Sequence, residues 1–140
     1  MTSPLFKPLK IKSLNLPNRI VMAPMTRSKS PGGVPGEDVA DYYARRAAAD
    51  VGLIVTEGTT VKRGGSSNDP NVPNFYKPEA LAGWKRVVEK VHAVNGLIAP
   101  QLWHQGMMRK PGTGPEPDAP TDSPSGITHS GKQVFDAPTS

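Results

Sequence analysis

The sequence predicts an α/β fold with a parallel sheet, arranged as the N-terminal part of a (β/α)8 TIM barrel. Three observations predict it. Short apolar runs alternate with amphipathic helical stretches in the order β-α-β-α-β, the signature of parallel strands joined by right-handed crossovers. Two of those runs end in polar groups, Ala23-Pro24-Met25-Thr26-Arg27 and Gln101-Leu102-Trp103-His104, and a barrel builds its site at the C-terminal ends of its strands. The chain has 140 residues where a complete barrel takes about 250, so it is expected to hold the first three strands and only part of a site.

Taken in order, Leu5 to Leu16 interleaves apolar residues with Lys, Ser and Asn, which predicts a short hairpin turning at Ser13-Leu14-Asn15. Ile20-Val21-Met22-Ala23 is a continuous apolar run, as a parallel strand buried on both faces requires. It stops at Pro24, which lacks the N–H a ladder needs. After a Pro/Gly loop, Glu37 to Ala49 reads as a helix. Val39, Tyr43 and Ala47 repeat every four residues, as do Ala40, Ala44 and Ala48, giving one apolar stripe. Glu37 and Asp38 open the helix and Arg45 and Arg46 lie near its end, as the helix dipole favours.

Val51 to Val55 is the second strand, ending in Thr56-Glu57-Gly58-Thr59. The loop from Lys62 to Tyr76 carries Gly64-Gly65-Ser66-Ser67, which lacks the lysine of a phosphate-binding loop and reads as a flexible connection. The next helix begins at about Pro78, suited to a first helical position. Its predicted buried stripe is Leu81, Trp84, Val87, Val88, Val91 and Val94, and Asn95-Gly96 stops it. Leu97 to Trp103 is the third strand, with an irregularity expected at Pro100. From Gln105 to Ser140 no periodic segment occurs. The organisation is therefore a hairpin over 1–18, three strands and two helices over 19–104, and a long loop over 105–140.

Composition excludes several classes. The formal charge of +5 is dispersed and only 6% of residues are aromatic, whereas a nucleic-acid surface needs a clustered basic face with stacking rings. With no cysteine the segment has no disulfide, thiol nucleophile or iron–sulfur ligand, which fits a cytoplasmic protein. Met1 to Lys12 lacks a signal-peptide core, and no run is long and apolar enough to span a membrane.

The chemistry-bearing residues gather at the strand ends. Thr26 offers a hydroxyl to a carbonyl-like oxygen. Gly58, after the second strand, permits close backbone approach to a flat ligand. Gln101 presents a donor and an acceptor together, matching an amide-like edge. Trp103 is a strand-end aromatic, core or pocket wall. Each has an ordinary structural reading when taken singly. Glu57 has no partner carboxylate at a spacing that would make it a general base. Tyr42 and Tyr43 read as packing residues on a helix. His92, His104 and His129 form no metal-ligand pattern.

Leu5-Phe6-Lys7-Pro8-Leu9, Asn18 to Arg27, Leu53 to Gly58 and Gln101 to His104 closely resemble, in order and spacing, the N-terminal part of the Old Yellow Enzyme family. These are FMN-dependent ene reductases on a (β/α)8 barrel. The resemblance runs from Leu5 to about Ile127. It implies a hairpin capping the barrel bottom and Pro24, Met25 and Thr26 against the flavin ring, with Thr26 hydrogen-bonding a flavin carbonyl. It implies a backbone contact at Gly58, and Gln101 on the pyrimidine edge. Thr26 and Trp103 would line the substrate pocket. Thr at that place marks one branch; a second has Cys. In the family, NADPH or NADH reduces FMN, which then reduces an activated alkene, an α,β-unsaturated carbonyl or nitro compound. The pair holding the substrate oxygen, the proton donor and the flavin phosphate site lie beyond Ser140 by motif order, so no catalytic residue and no metal ligand is assigned here, and His104 is not given such a role. Ser66-Ser67-Asn68-Asp69 stands where some members carry an aromatic residue facing the substrate. The chain by itself is expected to be inactive and to need the remaining barrel segment. The alternatives are a non-catalytic split fragment that docks on a complementary chain and a dienoyl-CoA reductase-like FMN enzyme.

Overall fold

The computed structural model describes residues 3–127; His129 and the rest of 128–140 lie outside the described residues. Two short strands, β1 (Leu9–Ile11) and β2 (Leu14–Leu16), form an antiparallel hairpin with Leu9 opposite Leu16. Its turn is Lys12-Ser13 and not Ser13-Leu14-Asn15: Lys12 takes the left-handed backbone (φ 53°), and Leu14 and Asn15 already belong to β2. A two-residue turn needs this conformation to match the twist of the strands.

The main sheet has the order β3-β4-β5, all parallel, from β3 (Val21–Met22), β4 (Leu53–Thr60) and β5 (Ile98–Trp103). The crossovers are α1 (Glu37–Ala47) and α2 (Pro78–Ala93), giving the predicted β-α-β-α-β order. Both helices contribute to one core. Val39, Ala40, Tyr43 and Ala47 of α1 meet Trp84, Val87 and Val91 of α2 over Ile54 of β4, all buried. Burying a valine or isoleucine side chain stabilises by roughly 1.5–3 kcal/mol. Lys90 of α2 ties back to Asp41 at 2.6 Å and to Glu37 on α1, and holds the Asp41 carboxyl below its ordinary range.

Several boundaries depart from expectation. Helix α1 ends at Ala47, leaving Ala48 exposed. The buried stripe of α2 is Ala80, Gly83, Trp84, Val87 and Val91; Leu81 and Val94 are exposed. Gly83 leaves no room for a side chain: a Cβ there would stand 2.5 Å from the Pro35 carbonyl oxygen. The stripe thus tilts toward the loop before α1.

Strand β4 runs on through Thr60, so Gly58 lies within it and not after it. The irregularity expected in β5 at Pro100 falls instead on its partner. Val55 pairs with Ala99 and Gly58 with Gln101, so β4 bulges at Thr56-Glu57 opposite Pro100. Proline has no N–H to give, and an extra residue on the facing strand absorbs the break.

Gly64-Gly65-Ser66-Ser67 is packed rather than flexible. Gly65, Ser66 and Ser67 are buried under the segment after β5, where the Gln105 N–H donates to the Ser66 carbonyl at 2.9 Å. That segment folds around Arg109, which is 1% exposed. Among the described residues, no helix is long and apolar enough to cross a membrane.

Candidate functional site at the strand ends

Because the strands are parallel, their C-terminal ends form one rim, and the residues singled out from the sequence are on it. Pro24, Met25 and Thr26 leave β3 in an extended, exposed segment; Met25 is 51% exposed. Gln101 and Trp103 are half-buried on β5. Gly58 is buried on β4, in register with Gln101.

Two polar side chains on this rim are unengaged. Among the described residues, neither the Thr26 hydroxyl nor the Gln101 amide makes a hydrogen bond within the chain. The Gln101 backbone, by contrast, is fixed. The Gln101 N–H donates to Thr56 Oγ1 (3.2 Å) and its carbonyl accepts from Thr59 Oγ1 (2.8 Å). The two threonine hydroxyls bridge the ladder where the bulge interrupts it, so the Gln101 side chain is carried on a rigid strand. The signal in the sequence was Thr-Glu-Gly-Thr, but its use required knowledge of the register.

Gly58 serves a neighbour. A Cβ at this position would stand 2.7 Å from two carbon atoms of the Trp103 indole. The absent side chain therefore makes room for that ring, which lies over the strand at the same rim.

The segment bearing Thr26 is held by a buried ion pair that the sequence did not reveal. The Glu57 carboxylate accepts from the Arg27 backbone N–H at 3.1 Å and from Arg27 Nη2 at 2.8 Å. The Glu57 side chain is 0% and the Arg27 side chain 16% exposed. The Arg27 guanidinium lies 3.6 Å from the centre of the Tyr42 ring, a cation–π contact that partly replaces water. The Tyr43 hydroxyl accepts the Glu57 N–H at 2.8 Å, and burial pushes this phenol up to about 12. Glu57, weighed as a general base, is a structural carboxylate here, and Tyr43 both packs the core and satisfies the bulge.

His104 is also engaged structurally. Its Nδ1 accepts the Gly106 N–H (2.9 Å), which leaves Nε2–H to face Asp122 at 3.2 Å. Arg63 donates to both oxygens of Asp122, at 2.8 and 2.6 Å, and holds that carboxyl below its ordinary range. The three join the ends of β4 and β5 to the following loop.

The fit to a planar cofactor with an imide edge can be judged from these positions. A primary amide on a strand and a hydroxyl in the segment that leaves β3, both without partners among the described residues, stand along one rim with an aromatic ring beside them. That donor and acceptor set suits the carbonyls and ring N–H of an isoalloxazine.

The sequence profile of the NADH:flavin oxidoreductase / NADH oxidase family matches residues 4–139. The chain is 45% identical over 104 residues to 12-oxophytodienoate reductase 7 of Oryza sativa subsp. japonica, covering 74% of this chain and 26% of that protein. It is similar to morphinone reductase solved in complex with tetrahydroNAD, with 43% identity, a TM-score of 0.69 and coverage of 79% of this chain and 31% of the other. It is likewise similar to the old yellow enzyme homologue from Zymomonas mobilis, at 36% identity and a TM-score of 0.70, covering 79% and 30%. The chain thus spans 26–31% of the length of these relatives.

Proposed function

The chain belongs to the NADH:flavin oxidoreductase / NADH oxidase family, and on that premise we propose that it forms the opening (β/α)8 segment of an FMN-dependent ene reductase. The enzyme would use NADH or NADPH to reduce the C=C bond of α,β-unsaturated carbonyl or nitro compounds. FMN held by Thr26, Gln101 and the Gly58 backbone would supply the hydride-transfer chemistry that side chains lack.

The observation that carries this reading is the pair of polar side chains, Thr26 and Gln101, on one rim and unengaged among the described residues. Thr26 would donate to a flavin carbonyl, and Gln101 would pair with the pyrimidine edge. Pro24 and Met25 would lie against the ring, and the Gly58 backbone would approach it. Trp103, seated over Gly58, would wall the substrate pocket beside Thr26. Relatives named as an oxophytodienoate reductase and as a reductase bound to a nicotinamide analogue support both the alkene class and the reductant.

The segment needs the remaining barrel to hold FMN. Among the described residues its sheet has open edges at β3 and β5, and Val21 and Leu102 are 49% and 63% exposed, so a flavin seated on this rim would lack cover on both sides. The test is visible absorbance of the 140-residue chain after FMN is added and free flavin removed, beside the same assay on an enzyme in which this segment is continued by the rest of its barrel. Flavin retained only by the complete barrel, with NADPH-driven reduction of an enone, is the expected result. A complete barrel that neither holds FMN nor oxidises NADPH overturns the function. Retention by the chain alone overturns the need for the remaining strands.

A further inference from the structure

We propose that Arg27 is a positioning residue for the flavin contact, setting through its buried pairing with Glu57 the place at which the Thr26 hydroxyl meets the ring. The proposal rests on the reading of Thr26 as a flavin ligand. It adds a device that acts through Thr26 without touching the cofactor.

The geometry is unusual for a loop. Pro24 to Thr26 has no regular structure and stands exposed at the rim, so nothing in its own backbone fixes Thr26. The first anchor after β3 is Arg27. Its backbone N–H and its guanidinium both donate to the two oxygens of one carboxylate. Two bonds from a single residue to Glu57 fix the peptide between Thr26 and Arg27 in direction as well as position. Glu57 cannot drift, because its own N–H is bonded to Tyr43 Oη in the core of α1 and its peptide sits in the β4 bulge. Tyr42 underlies the guanidinium from the same helix. The contact therefore runs from α1 through β4 to the residue next to Thr26.

The electrostatics favour a fixed geometry over a mobile one. A carboxylate with no exposed side-chain surface requires its counter-charge in place, since separating the pair leaves a buried unpaired charge. One backbone N–H and one guanidinium N–H on the two oxygens make the arrangement directional, and the planar guanidinium also stacks on Tyr42 in a way a lysine ammonium does not reproduce. A hydroxyl held to within a few tenths of an ångström is what a hydrogen bond tuning a flavin needs, since such bonds weaken steeply with misalignment.

The experiment compares Thr26→Ala, Arg27→Met, Arg27→Lys, Glu57→Gln and the Thr26→Ala/Arg27→Met double variant in the FMN-loaded enzyme whose barrel includes this segment. The readouts are the flavin reduction potential and the Kd for FMN. Arg46→Met is the control: Arg46 also lies over the Tyr42 ring, at 3.4 Å, but among the described residues its guanidinium bonds within α1. Arg27→Met is expected to move the potential in the direction of Thr26→Ala. It should also raise the FMN Kd by up to about tenfold, the most that losing one neutral hydrogen bond to the ring is worth. The double variant should add little, Arg27→Lys should restore part of the shift, and Arg46→Met should leave the potential unchanged. Should Arg27→Met fail to fold, Glu57→Gln keeps the shape and tests the same link. A shift with Thr26→Ala but none with Arg27→Met or Glu57→Gln overturns the positioning role alone. No shift with Thr26→Ala overturns the flavin reading of Thr26 and the proposal with it.

Discussion

Two arginines are held in this molecule in opposite ways. Arg27 is bonded to Glu57, thirty residues away on β4, and lies on Tyr42 of α1. Arg109 donates to the carbonyls of Thr113, Glu116 and Ala119 and to Thr121 Oγ1, all four to twelve residues away. Both guanidinium groups are shielded, and in each Nε is buried without a partner among the described residues. The first joins three elements of the barrel segment; the second closes one loop on itself. The difference teaches where a substitution should be felt. Losing the Arg27 pair leaves a charge stranded in the fold. Losing Arg109 frees carbonyls that can turn to water when their loop opens.

The largest expected effect tests the first half of that contrast. Arg27→Met strands the Glu57 carboxylate and should lower the unfolding free energy by about 3–5 kcal/mol, read from urea denaturation. A loss below about 1 kcal/mol would mean that water reaches Glu57 and that the pair is an ordinary surface one.

The next effect is alkaline. Burial raises the Tyr43 phenol from 10.0 when unperturbed to about 12 in the fold, against the opposing pull of the Glu57 N–H bond. The folded state therefore keeps a proton that the unfolded state gives up. Its stabilisation is complete below pH 10 and falls away as pH rises toward 12. The loss should reach about 2–3 kcal/mol, two steps of 1.36 kcal/mol. The difference in urea midpoint between this chain and Tyr43→Phe, followed from pH 9 to about 12, isolates it. A pH-independent difference would place the phenol in water.

The smallest global effect belongs to Arg109→Met. Unfolding of the sheet core should shift by less than about 1 kcal/mol, while limited proteolysis finds new cleavage between 110 and 122, as local opening predicts. A global loss as large as that of Arg27→Met would break the contrast and make the loop part of the core.

The distinction between near and far bonding also separates what was legible from what was not. The α1 stripe of Val39, Tyr43 and Ala47, the start of α2 at Pro78 and its stop at Asn95-Gly96 follow from spacing and from local backbone chemistry. The strand-end placement of Thr26, Gln101 and Trp103 was likewise readable, because apolar runs announce where strands stop. The bulge at Thr56-Glu57 was not. Pro100 showed that a ladder bond must fail, but which strand would yield depends on the register between β4 and β5. Leu81 and Val94 have the periodicity of buried residues yet face solvent, since the close approach of Pro35 at Gly83 rotates the contact.

By itself the sequence determined the class of fold, the order of its elements, the rim on which its chemistry-bearing residues stand and the family resemblance that gives them meaning. These depend on patterns within a few residues of one another, where the periods of helix and strand write themselves directly into composition. Only the tertiary structure decided that Glu57 holds Arg27, that Thr56 and Thr59 fix Gln101, and that Gly58 is small for the sake of Trp103. Each of these joins residues brought together by strand register and helix packing, and a single chain carries no local mark of which distant side chain will share its space.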